Sequence, residues 1–201
     1  MTSAVRERVM KAPTGAWLRP ADLGGGNTVE QVLSRLARDP RGPLVRAAKG
    51  LYFKSGAADP VFGKRKPSPV EVAAEVAKGQ GVGPAGATAA AYLGLTTQVS
   101  PRPVLAVVGV APTGVPGVEW QTRNNVTRAQ LGFAEVAVVE LLSIFPYGVE
   151  ADWSEVVSRV ADLRERRKIR LDRIQMVVAA ERRKPELRET LDRLLTDLAA
   201  A

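Results

Sequence analysis

The chain contains no cysteine and no histidine among its 201 residues. Without cysteine there are no disulfides and no thiol nucleophile. Without histidine there is no Ser-His-Asp triad and no imidazole base, and without either there is no Cys/His zinc site. An enzyme built on this chain would have to work with Asp, Glu, Lys, Arg, Ser, Thr or Tyr. Long apolar runs are missing too. The longest, Val104 to Pro112, falls well short of the ~20 residues that cross a bilayer. Arg6, Glu7 and Arg8 stand near the start with no apolar stretch behind them, unlike a secretory signal. The expectation is a soluble, cytoplasmic protein with no membrane partner, no metal and no cofactor.

Hydrophobic residues make up 45% of the chain and charged residues 25%. Those values suit a folded protein of one domain or two small ones. The net charge of +8 is unevenly placed. Residues 1–66 hold 13 Lys/Arg and 5 Asp/Glu, a net of +8; residues 67–150 hold 4 and 6; residues 151–201 hold 12 and 10. The first third therefore carries the whole excess, and such a local basic field concentrates polyanions around it. Residues 56–69, with Gly56, Pro60, Gly63, Pro67, Pro69 and the triplet Lys64-Arg65-Lys66, read as a linker. That places a boundary near residue 66, between a domain of residues 1–66 and one of 67–201.

The N-terminal part reads as a helix over Thr2–Met10, a short extended piece Trp17–Arg19, a helical turn Pro20–Leu23, and a helix Thr28–Arg38. Thr28 and Gln31 have the spacing of a capping box. Leu44–Ala47 and Leu51–Phe53 then form a hairpin around Lys49-Gly50. This is the order of a winged helix-turn-helix. In the helix from Thr28, the residues Val29, Val32, Leu33 and Leu36 fall within about 100° of one another and make the buried stripe. Asn27, Gln31, Ser34 and Arg38 lie opposite, with Thr28 and Arg35 on the flank. Gln and Arg carry the forks that match adenine and guanine edges, and the second helix of a helix-turn-helix meets those edges. The hairpin supplies Arg46, Lys49 and Lys54, the cations that a wing needs along a phosphate backbone. The candidate DNA-binding residues are therefore Thr28, Gln31, Ser34, Arg35, Arg38, Arg46, Lys49 and Lys54.

The rest reads as a mostly helical domain with a small β element, making the whole chain α+β. Ser68-Pro69-Val70-Glu71 opens a capped helix to about Lys78. A second helix spans Ala85–Leu93. Val104–Val110 and Val118–Arg123 read as strands, and Thr127 with Gln130 opens a helix to about Phe145. The last 50 residues are helical, with Asp152 and Pro185 as starts. The glycine-rich run from Lys78 through Gly81, Gly83 and Gly86 could bring backbone N–H groups to phosphate oxygens. It follows a helix, though, and lacks the Gly-Lys-Ser/Thr ending. Glu71 and Glu75 share a helix face; such a pair can bind a metal or shuttle protons and is more often a solvated face. Arg166, Arg167 and Lys168 form the centre of a basic cluster that could touch a partner.

Two stretches carry a family resemblance. One is the hairpin strand Lys49-Gly50-Leu51-Tyr52-Phe53 with the element order before it. The other runs from Gly83 to Val99 and contains Leu93-Gly94-Leu95-Thr96-Thr97-Gln98, the most specific piece. Together, over roughly residues 10–145, the chain resembles the AbiE-type antitoxins of type IV toxin–antitoxin pairs. The resemblance implies a winged helix that binds promoter inverted repeats and represses its operon. It implies a C-terminal region that counters a nucleotidyltransferase-like toxin without a long-lived complex. It supplies no catalytic residues. The readings that compete are a stand-alone transcription regulator and a nucleotide-dependent phosphotransferase that modifies the toxin.

Overall fold

The computed structural model describes residues 2–56, 63–79, 81–98, 100–147, 149–182 and 184–200. The fold is α+β, and the chain divides into two compact units, Met1–Val72 and Ala73–Ala201. The division falls a few residues beyond the expected boundary at 66. Two cations of the supposed linker belong to the first unit: Lys64 Nζ donates to the carbonyls of Asp39 (2.5 Å) and Leu44 (2.9 Å). The Arg65 guanidinium lies 5.1 Å from the Phe53 ring centre and pairs with Glu71 at 2.9 Å.

The first unit runs α1 (Thr2–Lys11), β1 (Trp17–Leu18), a 3-10 turn (Pro20–Leu23), α2 (Asn27–Arg38), β2 (Leu44–Ala48) and β3 (Leu51–Lys54). This is the order expected from the sequence. Its sheet is antiparallel, ordered β1-β3-β2. Val5 and Val9 from α1, Val29, Val32 and Leu33 from α2, and Leu18, Leu44 and Tyr52 from the sheet fill one core. The apolar stripe of α2 thus faces inward as its periodicity requires, with Leu36 half-buried at its margin. The start of α2 differs from expectation. Gly24, Gly25 and Gly26 all take positive φ, and the N-cap is Gly26, with no side chain capping the helix. Thr28 lies inside the helix, so it makes no capping box with Gln31.

The second unit contains α3 (Pro69–Val76, which straddles the division), β4 (Gly83–Pro84), α4 (Ala87–Tyr92), β5 (Val104–Val108), β6 (Glu119–Arg123), a 3-10 turn (Val126–Gln130), α5 (Phe133–Leu142), α6 (Trp153–Glu165), α7 (Leu171–Ala179) and α8 (Pro185–Ala200). The Ser68/Glu71 cap of α3 forms in both directions, at 3.2 and 2.7 Å. So does the Asp152/Glu155 cap of α6, at 3.0 and 2.9 Å. The helix expected from Thr127 to Phe145 is two elements. Asn125 Oδ1 accepts from Thr127 N–H at 3.1 Å and starts the 3-10 turn. Leu131 is extended, and Gly132 begins α5, its N–H donating to Glu135 at 2.6 Å. Helix α5 is buried on all sides from Ala134 to Leu142. It forms the axis of the main core, against which Val156 and Val160, Ile174 and Val177, and Leu187, Leu191 and Leu194 pack from α6, α7 and α8. The second sheet is ordered β4-β5-β6, with β4 antiparallel and β6 parallel to β5.

Candidate nucleic-acid interface

The residues expected to meet DNA lie on two elements of the first unit. Along α2, Thr28, Gln31, Arg35 and Arg38 are exposed and Ser34 is half-buried. Asn27, Glu30, Gln31 and Ser34 line a shallow depression of about 220 Å³. On the hairpin, Arg46 is exposed on β2 and Lys49 in the turn. Among the described residues, Arg35, Arg38, Arg46 and Lys49 enter no ion pair with a carboxylate. Their charges are thus open to an external anion. The uncapped first turn of α2 adds a positive helix end near Asn27 and Gln31, while Arg35 and Arg38 lie in its last turn.

Arg46, Glu30 and Arg38 all act electrostatically on the Tyr52 hydroxyl. Burial pushes that hydroxyl above the ordinary tyrosine range, and it has no hydrogen-bond partner. Helix α2 packs against β2, which brings the hairpin and the helix into one neighbourhood. Glu30 was missed by sequence reasoning, because an acidic residue argues against a phosphate-binding face. It sits in the depression nonetheless, and a carboxylate can accept a hydrogen bond from the cytosine amino group.

Lys54 is a correction. It closes β3 and is only 6% exposed. Its ammonium donates to the carbonyls of Val9 (2.6 Å) and Met10 (3.1 Å), satisfying the open C-terminal end of α1. Burial lowers its pKa. Strand alternation cannot show that a lysine at a strand end has been taken as a cap by a helix 44 or 45 residues away.

The phosphate-loop reading of the glycine run does not survive either. Lys78 is exposed, but Gly81, Gly83 and Pro84 are buried. A Cβ at Gly81 would collide with the Arg128 carbonyl, and one at Gly83 with Val136 and the Phe133 carbonyl. These glycines admit backbone packing and leave no cradle for phosphate. Gly86 is half-buried and precedes the six-residue α4. Of the carboxylate pair, Glu71 is held by Ser68 and Arg65, which keep it below the usual carboxylate range. Glu75 has an interaction of its own.

In the basic cluster of the second unit, Arg166 pairs with Asp162 at 2.6 Å and Arg170 with Glu135 at 3.3 Å. Arg167 and Lys168 are exposed without a carboxylate partner among the described residues. Arg167 alone among the described non-glycine residues takes a positive φ, 54°. It ends α6 in the manner of a Schellman turn, with Lys168 N–H donating to Leu163 O at 2.9 Å.

Sequence reasoning also missed a buried charge network. Arg128, 1% exposed, pairs with Glu140 and Glu181. Arg123 pairs with Glu140 at 2.6 Å, and Asn125 donates to Glu181 at 3.1 Å. Burial would raise the Glu140 carboxyl, but hydrogen bonds and charge from Arg123 and Arg128 outweigh it and hold it low. One sequence signal could have found it: two glutamates, Glu135 and Glu140, in a segment otherwise apolar from Phe133 to Leu142.

The family described as "Family of unknown function (DUF6088)" matches residues 4–115, more than half of the chain, and the chain belongs to it. No curated protein matches. Among solved structures, the crystal structure of the RV2827C protein from Mycobacterium tuberculosis is similar at 17% identity and a TM-score of 0.49, over 97% of this chain and 76% of that one. No helix among the described residues is long and apolar enough to cross a membrane.

Proposed function

We propose that this protein is a DNA-binding antitoxin of a type IV pair. On this reading the first unit is a winged helix-turn-helix: α2 reads base edges in the major groove and the β2–β3 hairpin lies along the phosphate backbone. The second unit counters a nucleotidyltransferase-like toxin. The observation that carries the DNA-binding half is the set of cations without a carboxylate partner among the described residues, Arg35 and Arg38 on α2 with Arg46 and Lys49 on the hairpin. The antitoxin half rests on the resemblance at the hairpin and at Gly83–Val99. In the second unit, Arg167 and Lys168 are the candidate partner contacts, with Arg166 divided between a partner and Asp162.

The test has two arms. The full chain is titrated with promoter duplex at several salt concentrations; ~4–8 phosphate contacts give a slope of log K against log salt of about −4 to −7. Arg46→Ala or Lys49→Ala weakens cognate and scrambled duplexes alike, since phosphate contacts carry no sequence code. Gln31→Ala or Arg35→Ala costs ~1–3 kcal/mol mainly on the cognate site. Affinity that ignores salt removes the DNA reading. In the second arm the chain is co-expressed with its neighbouring gene and growth is scored. Promoter binding without rescue would leave a stand-alone transcription regulator.

A further inference from the structure

Helix α2 divides its outward side chains by charge. Its first half presents Asn27, Glu30, Gln31 and Ser34, which line the depression of about 220 Å³. Its cations, Arg35 and Arg38, stand in the last turn. Glu30 is the one charged group of that first half, and it is exposed. Side chains on a helix meet at spacings of three and four residues. Around Glu30 those positions hold Gly26, Asn27, Leu33 and Ser34, so no cation stands where it would pair along the helix. Among the described residues no ion pair or hydrogen bond occupies the Glu30 carboxylate.

A free carboxylate on a face turned to a polyanion opposes binding to every duplex, because it repels phosphate whatever the sequence. Against base edges it discriminates. An ionised carboxylate only accepts hydrogen bonds. In the major groove guanine shows the acceptors N7 and O6, and thymine shows the acceptor O4. Adenine shows its N6 amino group beside the acceptor N7. Cytosine shows an amino donor, N4, with no acceptor of its own next to it. The N-terminal residues of a recognition helix are the ones that meet base edges, and Glu30 stands in the first turn of α2.

We propose that Glu30 fixes a cytosine in the operator. Its carboxylate accepts from the cytosine amino group and disfavours the other bases by setting acceptor against acceptor. The inference rests on the DNA-binding reading of the first unit and adds to it the identity of one base. Arg35, Arg38 and the hairpin cations then supply affinity, and Glu30 gives up part of it for discrimination. Removal of the Glu30 charge therefore tightens binding to unrelated duplex while it weakens the choice among duplexes. Removal of a phosphate-binding cation weakens binding to both. An acidic residue in the first turn also favours the helix through its dipole. That role concerns folding and moves no base preference.

The full chain and its Glu30→Ala variant are each used to select from a randomised duplex pool. The selected sequences, their single-base changes and a scrambled duplex are then titrated at one salt concentration. The native consensus should hold a C·G pair that the variant leaves open. Changing that pair to T·A should weaken the native chain by about 5- to 150-fold and leave the variant little changed. The scrambled duplex should bind Glu30→Ala about two- to five-fold more tightly than it binds the native chain. Glu30→Gln keeps the shape of the side chain and adds an amide donor, so it should admit adenine at the same position. It carries the test should Glu30→Ala lose helicity by circular dichroism. A pool from which neither chain enriches a sequence removes the DNA reading itself, and the proposal with it. A native consensus that both Glu30 variants select unchanged overturns the assignment of Glu30 and leaves the DNA reading standing. So does a variant that is weaker on every duplex alike, the outcome of a purely structural role.

Discussion

Three side chains show how position overrides residue type. Lys54 looks like a wing cation by composition and acts as a helix cap by location. Lys54→Ala should cost about 1–3 kcal/mol of stability by leaving carbonyls of α1 unsatisfied, with the salt slope of DNA binding unchanged; urea unfolding and the titration read the two separately. Arg167 carries backbone strain that glycine would not. Arg167→Gly should raise the stability of the second unit by about 0.5–1 kcal/mol, seen as a later urea midpoint at constant slope. Glu140 is buried between two arginines. Glu140→Gln leaves Arg128 without one of its two carboxylates, and a cost near 3–5 kcal/mol is expected.

At the level of elements, local signals succeed where the hydrogen-bonding partner is close in sequence. The Ser68/Glu71 and Asp152/Glu155 boxes are three-residue patterns, and both form. The same spacing at Thr28/Gln31 and Thr127/Gln130 does not mark a helix start. In the first case three glycines deliver the chain to α2 one residue early. In the second Asn125 takes the capping role and Gly132 restarts the helix. The stripe on α2 was legible because its 3.6-residue period reports directly which face is buried. The glycine run was misleading because a glycine needed for close packing and one needed for phosphate approach are the same letter. Only the Arg128 backbone beside Gly81 separates them.

Over the whole molecule, charge is used in two ways. In the first unit several cations remain open to solvent; in the second the central charges are buried and paired. The second unit should therefore carry the acid sensitivity. The folded-state pKa of Glu140 is held below its unfolded value. The stability it contributes is thus fully present above the ordinary glutamate range of ~4.3 and is lost as pH falls through that range toward the folded value. Unfolding followed from pH 7 to pH 3 should show a steeper acid loss in the native chain than in Glu140→Gln.

The sequence alone determined the α+β class, the element order of the first unit, the inward stripe of α2, two helix caps and the concentration of net charge in residues 1–66. Each of these depends on residues within about a turn or a strand of one another, or on simple addition. The tertiary structure alone decided which cations are open and which are spent, that β6 runs parallel to β5 at the edge of its sheet, and that Arg128, Glu140 and Glu181 of the second unit meet out of water. Those outcomes depend on partners as far apart as the 53 residues between Arg128 and Glu181. No local pattern encodes that separation, because packing of the whole core brings the two together.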